Sequence, residues 1–141
     1  MNVEKLKAEL MRDEGVRLKP YLDSTGHLTI GIGRNLTDVG INQSEALYLL
    51  ESDIARTGSD LDHYLPWWAD LDEVRKRVLI NMAFNLGIGG LIGFHDTLKY
   101  VQLGMFEAAA KGMLATLWAR QVGPRADRLA EMMKTGLEPT E

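Results

Sequence analysis

The sequence predicts an α+β protein, mostly helical, with one small antiparallel β-hairpin or meander. Three observations lead there. Apolar residues recur at helical spacing in several separate segments. Only one stretch, Leu28 to Gly33, alternates with period two. Glycine, proline and short polar residues stand wherever the periodicity breaks.

The elements follow in order. Val3, Leu6, Leu10 and Met11 share a helical face, and Gly15 suits the end of that helix. Leu18 to Asp23 reads as extended, and Asp23-Ser24-Thr25-Gly26 as a turn. Leu28, Ile30 and Ile32 then alternate with Thr29, Gly31 and Gly33, which predicts a strand with its aliphatics packed inward. Asn42-Gln43-Ser44-Glu45 has the pattern of a capping box, opening a long helix through Ala46, Leu50, Ile54, Leu61 and Leu65. Gly58 weakens that helix and Pro66 ends it. Asp72 opens a helix that buries Val74, Val78, Leu79, Met82 and Leu86 and stops in the run Leu86-Gly87-Ile88-Gly89-Gly90. Shorter helices start near Asp96, Phe106 and Ala115. A last one runs from Pro124 to Gly136, with a frayed LEPTE tail after it.

Composition narrows the function classes. A chain of 141 residues without cysteine has neither a disulfide framework nor a thiolate metal site. His27, His63 and His95 are scattered, without a second ligand type at metal spacing, so no metal or cofactor is expected. The formal charge of −4 argues against nucleic acid held by bulk electrostatics. Arg75, Lys76 and Arg77 read as a solvated helix face; Arg120, Arg125 and Arg128 form a second basic group. The amphipathic start is neither a signal peptide nor an anchor, and no segment reads as inserting in a membrane. The glycine runs lack the strand–loop–helix context of a dinucleotide fingerprint. Gly31 and Gly33 fit better as places of close approach to a strand, or as a bulge.

The strongest chemical feature is a pair of carboxylates. Glu14 ends a helix and Asp23 ends a strand at a turn. Glycoside hydrolysis needs two acids flanking one bond, one protonated and one ionised. An open turn can keep Asp23 hydrated and charged, and the Thr29 hydroxyl can hold a water. Against this stands the plain alternative of solvated acids, since the chain has 20 of them.

The order E-G-x-x-L-x-x-Y-x-D-x-x-G-x-x-T-I-G-x-G is present as Glu14, Gly15, Leu18, Tyr21, Asp23, Gly26, Thr29, Ile30, Gly31 and Gly33. It resembles the phage-type lysozymes, the endolysins of glycoside hydrolase family 24. Val74 to Gly87, Gly93 to Leu98, and Trp118 through Pro124–Arg128 to Gly136 extend the resemblance over nearly the whole chain. It implies a two-lobed lysozyme-like fold in a single domain over 1–141, with a small β-containing lobe of about 14–58 and a helical lobe of about 1–13 and 59–141. It implies a monomeric muramidase cutting the β-1,4 bond between N-acetylmuramic acid and N-acetylglucosamine in peptidoglycan glycan strands. Glu14 would be the general acid, Asp23 the base or electrostatic partner, and Thr29 the group that orients water. Asn85, Trp118 and Arg125 would support the glutamate. Gly31, Gly33, Asn35, Phe84 and Thr97 would line the saccharide site, although a lone aromatic at helical spacing is more often core. With no export signal, the enzyme would wait in the host cytoplasm until a separate holin-type pore-forming protein opens the inner membrane. The rivals are a binding module that grips glycan without cutting it, a lytic transglycosylase, and a purely structural helical protein.

Three departures from the family pattern bear on the site. The position after GIG often carries His in relatives and here is Arg34. The matching partner on the long helix is Asp53, so an Arg34–Asp53 ion pair is expected. The connection from Gly33 to Asn42 is short, and the chain is net acidic where some relatives are strongly basic.

Overall fold

The computed structural model describes residues 1–139. It bears out a mostly helical fold with one three-stranded antiparallel sheet, of order β1-β2-β3. The expected tail ends at residues 140 and 141, outside those described. The chain folds as two compact units, 1–49 and 50–141. The N-terminal helix belongs to the unit that holds the sheet, and the two units meet in sequence within the long helix.

In the first unit, helix α1 (Val3–Glu14) starts where the Asn2 side chain accepts a hydrogen bond from the Lys5 N–H at 3.0 Å. It ends at Glu14. Gly15 follows at φ 76°, and its N–H donates to the Met11 carbonyl at 2.9 Å. Strand β1 (Arg17–Leu22) pairs with β2 (Leu28–Gly31), with an irregularity between Arg17 and Tyr21. β2 pairs in turn with the two-residue β3 (Arg34–Asn35).

The expected strand with its aliphatics packed inward is corrected: over Leu28–Gly31 burial runs exposed, buried, half-buried, half-buried. Thr29 is buried at 3% exposure, while Leu28 and Ile32 are more than 40% exposed. Thr29 occupies the middle of the sheet, opposite Tyr21 on one side and Asn35 on the other, so neighbours cover it from both strands. Leu28 pairs with Leu22 beside the turn of the hairpin. Burying the threonine leaves no polar proton unpaired, because its hydroxyl donates to the His27 carbonyl at 2.9 Å. The strand is also shorter than expected. Gly31 ends β2, and Ile32 and Gly33 form the bend to β3, with φ of 71° at Gly31 and 76° at Gly33. Only glycine takes such values without strain.

Helix α2 (Gln43–Tyr64) opens with the expected capping box. The Glu45 N–H donates to Asn42 Oδ1 at 2.8 Å, and the Asn42 N–H donates to Glu45 Oε1 at 3.0 Å. The helix runs unbroken through Gly58, where a Cβ would come within 3.9 Å of the Ile80 side chain.

In the second unit, a 3-10 turn (Pro66–Asp70) follows α2. Helix α3 (Glu73–Ile92) starts at the cap Asp72 and is broken at Gly87, φ 74° and ψ 157°, as the glycine run predicts. Then come α4 (His95–Gln102), α5 (Phe106–Leu114), α6 (Leu117–Val122) and α7 (Pro124–Thr135). Leu61, Val78, Leu79, Met82, Leu91, Val101, Met113 and Met133 are essentially without solvent contact and form the core. Arg75 departs from the expected solvated face. Its side chain is 14% exposed and lies 3.6 Å from the Phe106 ring centre. It donates to the Met133 carbonyl at 2.7 Å and the Lys134 carbonyl at 3.0 Å, and so caps the end of α7.

Candidate functional site

The first unit carries Glu14, Asp23, Thr29, Gly31, Gly33, Arg34 and Asn35. Glu14 is the last residue of α1, and its carboxyl lies against the bend of the sheet. A Cβ on Gly33 would sit 3.1 Å from Glu14 Oε2 and 3.3 Å from its Cδ. The close approach expected at this glycine therefore comes from the candidate acid itself. Gly31 has the same backbone hand with nothing within 4 Å of its would-be Cβ.

Asp23 is held by the turn it opens. Its Oδ1 accepts from the Thr25 N–H at 2.9 Å, the Thr25 hydroxyl at 2.8 Å and the His27 N–H at 2.9 Å. The His27 N–H and then the Thr25 hydroxyl hold the carboxyl below the usual carboxylate range. Asp23 is thus an ionised group with one oxygen committed to the turn. Thr29 is buried with its proton committed, so its oxygen can only accept. Asn35 is occupied as well, since its amide donates to Asp38 Oδ2 at 3.0 Å and accepts from the Asp38 N–H at 3.0 Å.

The expected Arg34–Asp53 pair is corrected by the structure. Arg34 grips both oxygens of Glu45, at 2.9 and 2.7 Å, and also donates to the Gly40 carbonyl at 3.1 Å. The short connection after β3 brings the first turn of α2 to the guanidinium. Asp53 stands eight residues further along that helix, roughly 12 Å at the α-helical rise, and pairs with Arg56 at 3.0 Å. The Arg34 fork, helped by the Asn42 N–H, lowers the Glu45 carboxyl to about 2.

The second unit carries Asp53, Phe84, Asn85, Thr97, Trp118 and Arg125. Trp118 is buried and donates from Nε1 to Asn85 Oδ1 at 2.8 Å. Arg125 donates to the side chain of Asn81 at 2.9 Å and to its carbonyl at 3.3 Å. Asn81 and Asn85 are one helical turn apart on α3, so Trp118 and Arg125 meet one face of that helix. Phe84 is 44% exposed and lines a hollow with Asp53, Arg56, Asp60 and Gly87. Thr97 is buried in this unit, 2.7 Å from where a Cβ on Gly112 would lie.

Three features of the site lie beyond the sequence reading. Glu45 reads there only as half of a capping box. Asn81 gives no signal beyond its place on α3. The Asp23-x-Thr25-x-His27 alternation does carry one, because acceptor and donor groups two apart in a turn can bond each other. Among the described residues no group of His, Asp or Glu could hold a metal ion.

The family model described as phage lysozyme matches residues 11–133. The pre-baseplate central spike protein of Enterobacteria phage T4 is 32% identical over 155 residues, covering 90% of this chain and 27% of that protein. Two probable T4-type lysozymes of Dictyostelium discoideum are 27% and 26% identical, each over 95% of this chain and 96% of its own length. The chain therefore spans about a quarter of the spike protein and nearly all of the two lysozymes.

Proposed function

The chain belongs to the phage lysozyme family, and from that premise we propose that it hydrolyses the β-1,4 bond between N-acetylmuramic acid and N-acetylglucosamine in peptidoglycan. The observation that carries this reading is the setting of the two acids. Glu14 lies against a glycine bend at a helix end, while Asp23 is kept ionised by a turn of the same unit. Two carboxyls carried by one segment, one of them held ionised, are what acid and charge partner require.

Glu14 donates a proton to the glycosidic oxygen. Asp23 answers the positive charge that develops at the anomeric carbon. Its lowered proton affinity suits it better to electrostatic stabilisation than to strong base catalysis. Oδ1 is bound to the turn, which leaves Oδ2 for the reaction. A water that donates one hydrogen bond to Thr29 attacks the anomeric carbon from the face opposite the leaving group and passes its other proton to Asp23 Oδ2 late in bond formation. Phe84, with the carboxylates around it, offers an apolar plate and hydroxyl acceptors to a sugar ring. The substrate lies in the cell wall, which the enzyme reaches from the host cytoplasm once a separate pore-forming protein has opened the inner membrane.

The test is digestion of purified peptidoglycan by the wild type and by Glu14→Gln, with the released fragments identified by mass spectrometry. Reducing muramic ends from the wild type, lowered by roughly a hundredfold or more in the variant, are expected. Anhydro ends would replace hydrolysis by transglycosylation. Binding without release would leave a glycan-binding module.

A further inference from the structure

The turn that presents Asp23 contains a chain of polar side chains that the proposed reaction does not use. Asp38 Oδ2 stands 3.3 Å from His27 Nε2 and is braced by the Asn35 amide at 3.0 Å. His27 Nδ1 is in hydrogen-bond contact with the Thr25 hydroxyl oxygen. That hydroxyl reaches Asp23 Oδ1 at 2.8 Å, while Asp23 Oδ2 lies 3.7 Å from the same ring nitrogen. The groups facing the imidazole are thus Asp23 and Thr25 on one side, and Asp38, with Asn35 behind it, on the other.

Counting protons fixes the states this chain can adopt. Carboxylates accept only, and a hydroxyl has one proton to give. With Thr25 donating to Asp23, its oxygen must accept from the ring, which needs a proton on Nδ1. Asp38 needs a proton on Nε2. The imidazolium alone satisfies both. A neutral ring keeps one proton, and the charge of Asp38 holds it on Nε2. Nδ1 then presents a lone pair to Thr25, whose single proton has two acceptors in reach.

We propose that His27 is a positioning residue for Asp23, and that its protonation decides whether the Thr25 hydroxyl stays on Asp23 or turns to the ring. The catalytic consequence rests on Asp23 being a site residue; the coupling itself rests on the geometry of the turn. Below the pH at which His27 loses its proton, Oδ1 is pinned by three donors and Oδ2 is left for the reaction. Above it, one donor leaves and the carboxylate can rotate.

Two readouts test this on the full chain. The first is the ring 15N spectrum of His27 across pH, in the wild type and in Asp38→Asn. The neutral wild-type ring carries its proton on Nε2. In Asp38→Asn the charge that favours a proton on Nε2 is gone while Asp23 Oδ2 still lies 3.7 Å from Nδ1, so the neutral ring keeps its proton on Nδ1 and the link to Thr25 survives. The second is the pH dependence of kcat on purified peptidoglycan. In the wild type kcat falls roughly tenfold through the His27 midpoint, about the worth of one charge-assisted hydrogen bond, with KM little changed. The fall is absent in Asp38→Asn and in His27→Asn, whose amide nitrogen can replace Nδ1 as a donor to Thr25. Thr25→Val stays at the low level throughout. A pH limb shared by all four proteins belongs to the general acid, not to this relay. A neutral wild-type ring protonated on Nδ1, or matching kcat profiles for wild type and Asp38→Asn, overturns the proposal. If the wild type releases no fragments at any pH, the catalytic reading of Asp23 fails, and the tautomer measurement still decides the coupling.

Discussion

Gly33 offers the most direct test of how the site is built, because Gly31 provides its own control. Both residues hold positive φ, 76° at Gly33 and 71° at Gly31, at the same bend. An alanine at either position takes on the left-handed penalty of about 1–2 kcal/mol. For a chain of this size that lowers Tm by roughly 3–8 °C. The two sites differ in what the new methyl meets. At 31 nothing lies within 4 Å, whereas at 33 the Cβ would stand 3.1 Å from Glu14 Oε2. The Glu14 side chain is flexible and can give way by a few tenths of an ångström, so the added stability cost is small. On the proposed reading the displaced carboxyl is the general acid, however, and misplacement on that scale is expensive in rate. Thermal unfolding followed by circular dichroism should therefore show similar losses for Gly31→Ala and Gly33→Ala. Turnover of purified peptidoglycan should show kcat of Gly33→Ala at least about tenfold below that of Gly31→Ala. Equal kcat values would refute the idea that the Gly33 bend seats the acid. A Gly33→Ala protein melting like the wild type would refute the strain argument.

Three further outcomes are expected. Glu45 has its carboxyl lowered from 4.5 to about 2, so the stabilisation it brings is full above about pH 4.5 and is lost as pH falls toward about 2; melts over that range should lose this acid-side dependence in Glu45→Gln, and Arg34 adds no dependence between about pH 6 and 9 because guanidinium does not titrate there. Arg75→Lys removes the fork that caps α7 at the Met133 and Lys134 carbonyls; a loss of about 1–2 kcal/mol in urea unfolding is expected, with faster amide exchange at the end of α7. Trp118→Phe deletes the 2.8 Å bond from the buried indole to the exposed Asn85; water can take over the freed acceptor, so the same urea assay should register about 0.5–1.5 kcal/mol.

What the sequence discloses, and what it hides, follows from the range of the interactions involved. The capping box at Asn42–Glu45, the break at Gly87 and the stop at Gly15 are legible because each is decided by residues within one turn of helix. The order of Glu14, Asp23 and Thr29 is legible for the same reason, as a local pattern in one segment. The face of β2 is not, since alternation marks two sides without saying which one neighbouring strands will cover. Thr29 is covered because Tyr21 and Asn35 flank it, and that register is set by bends whose geometry depends on two glycines. The partner of Arg34 is hidden because Glu45 already has a role. A carboxylate with two oxygens can cap its own helix and accept a guanidinium at once, and nothing in the spacing excludes either use.

The double use of single groups runs through the whole first unit. Asp23 both opens its turn and, on the proposed reading, serves the reaction. Glu14 both ends α1 and lies on the Gly33 bend. Glu45 both caps α2 and anchors Arg34. A group with two tasks cannot be optimised for one of them alone, so substitutions here should disturb local order and chemistry together. Only variants that separate the tasks, such as Thr25→Val, which takes the hydroxyl from Asp23 and leaves the backbone donors of Thr25 and His27 in place, can say which task a given bond performs.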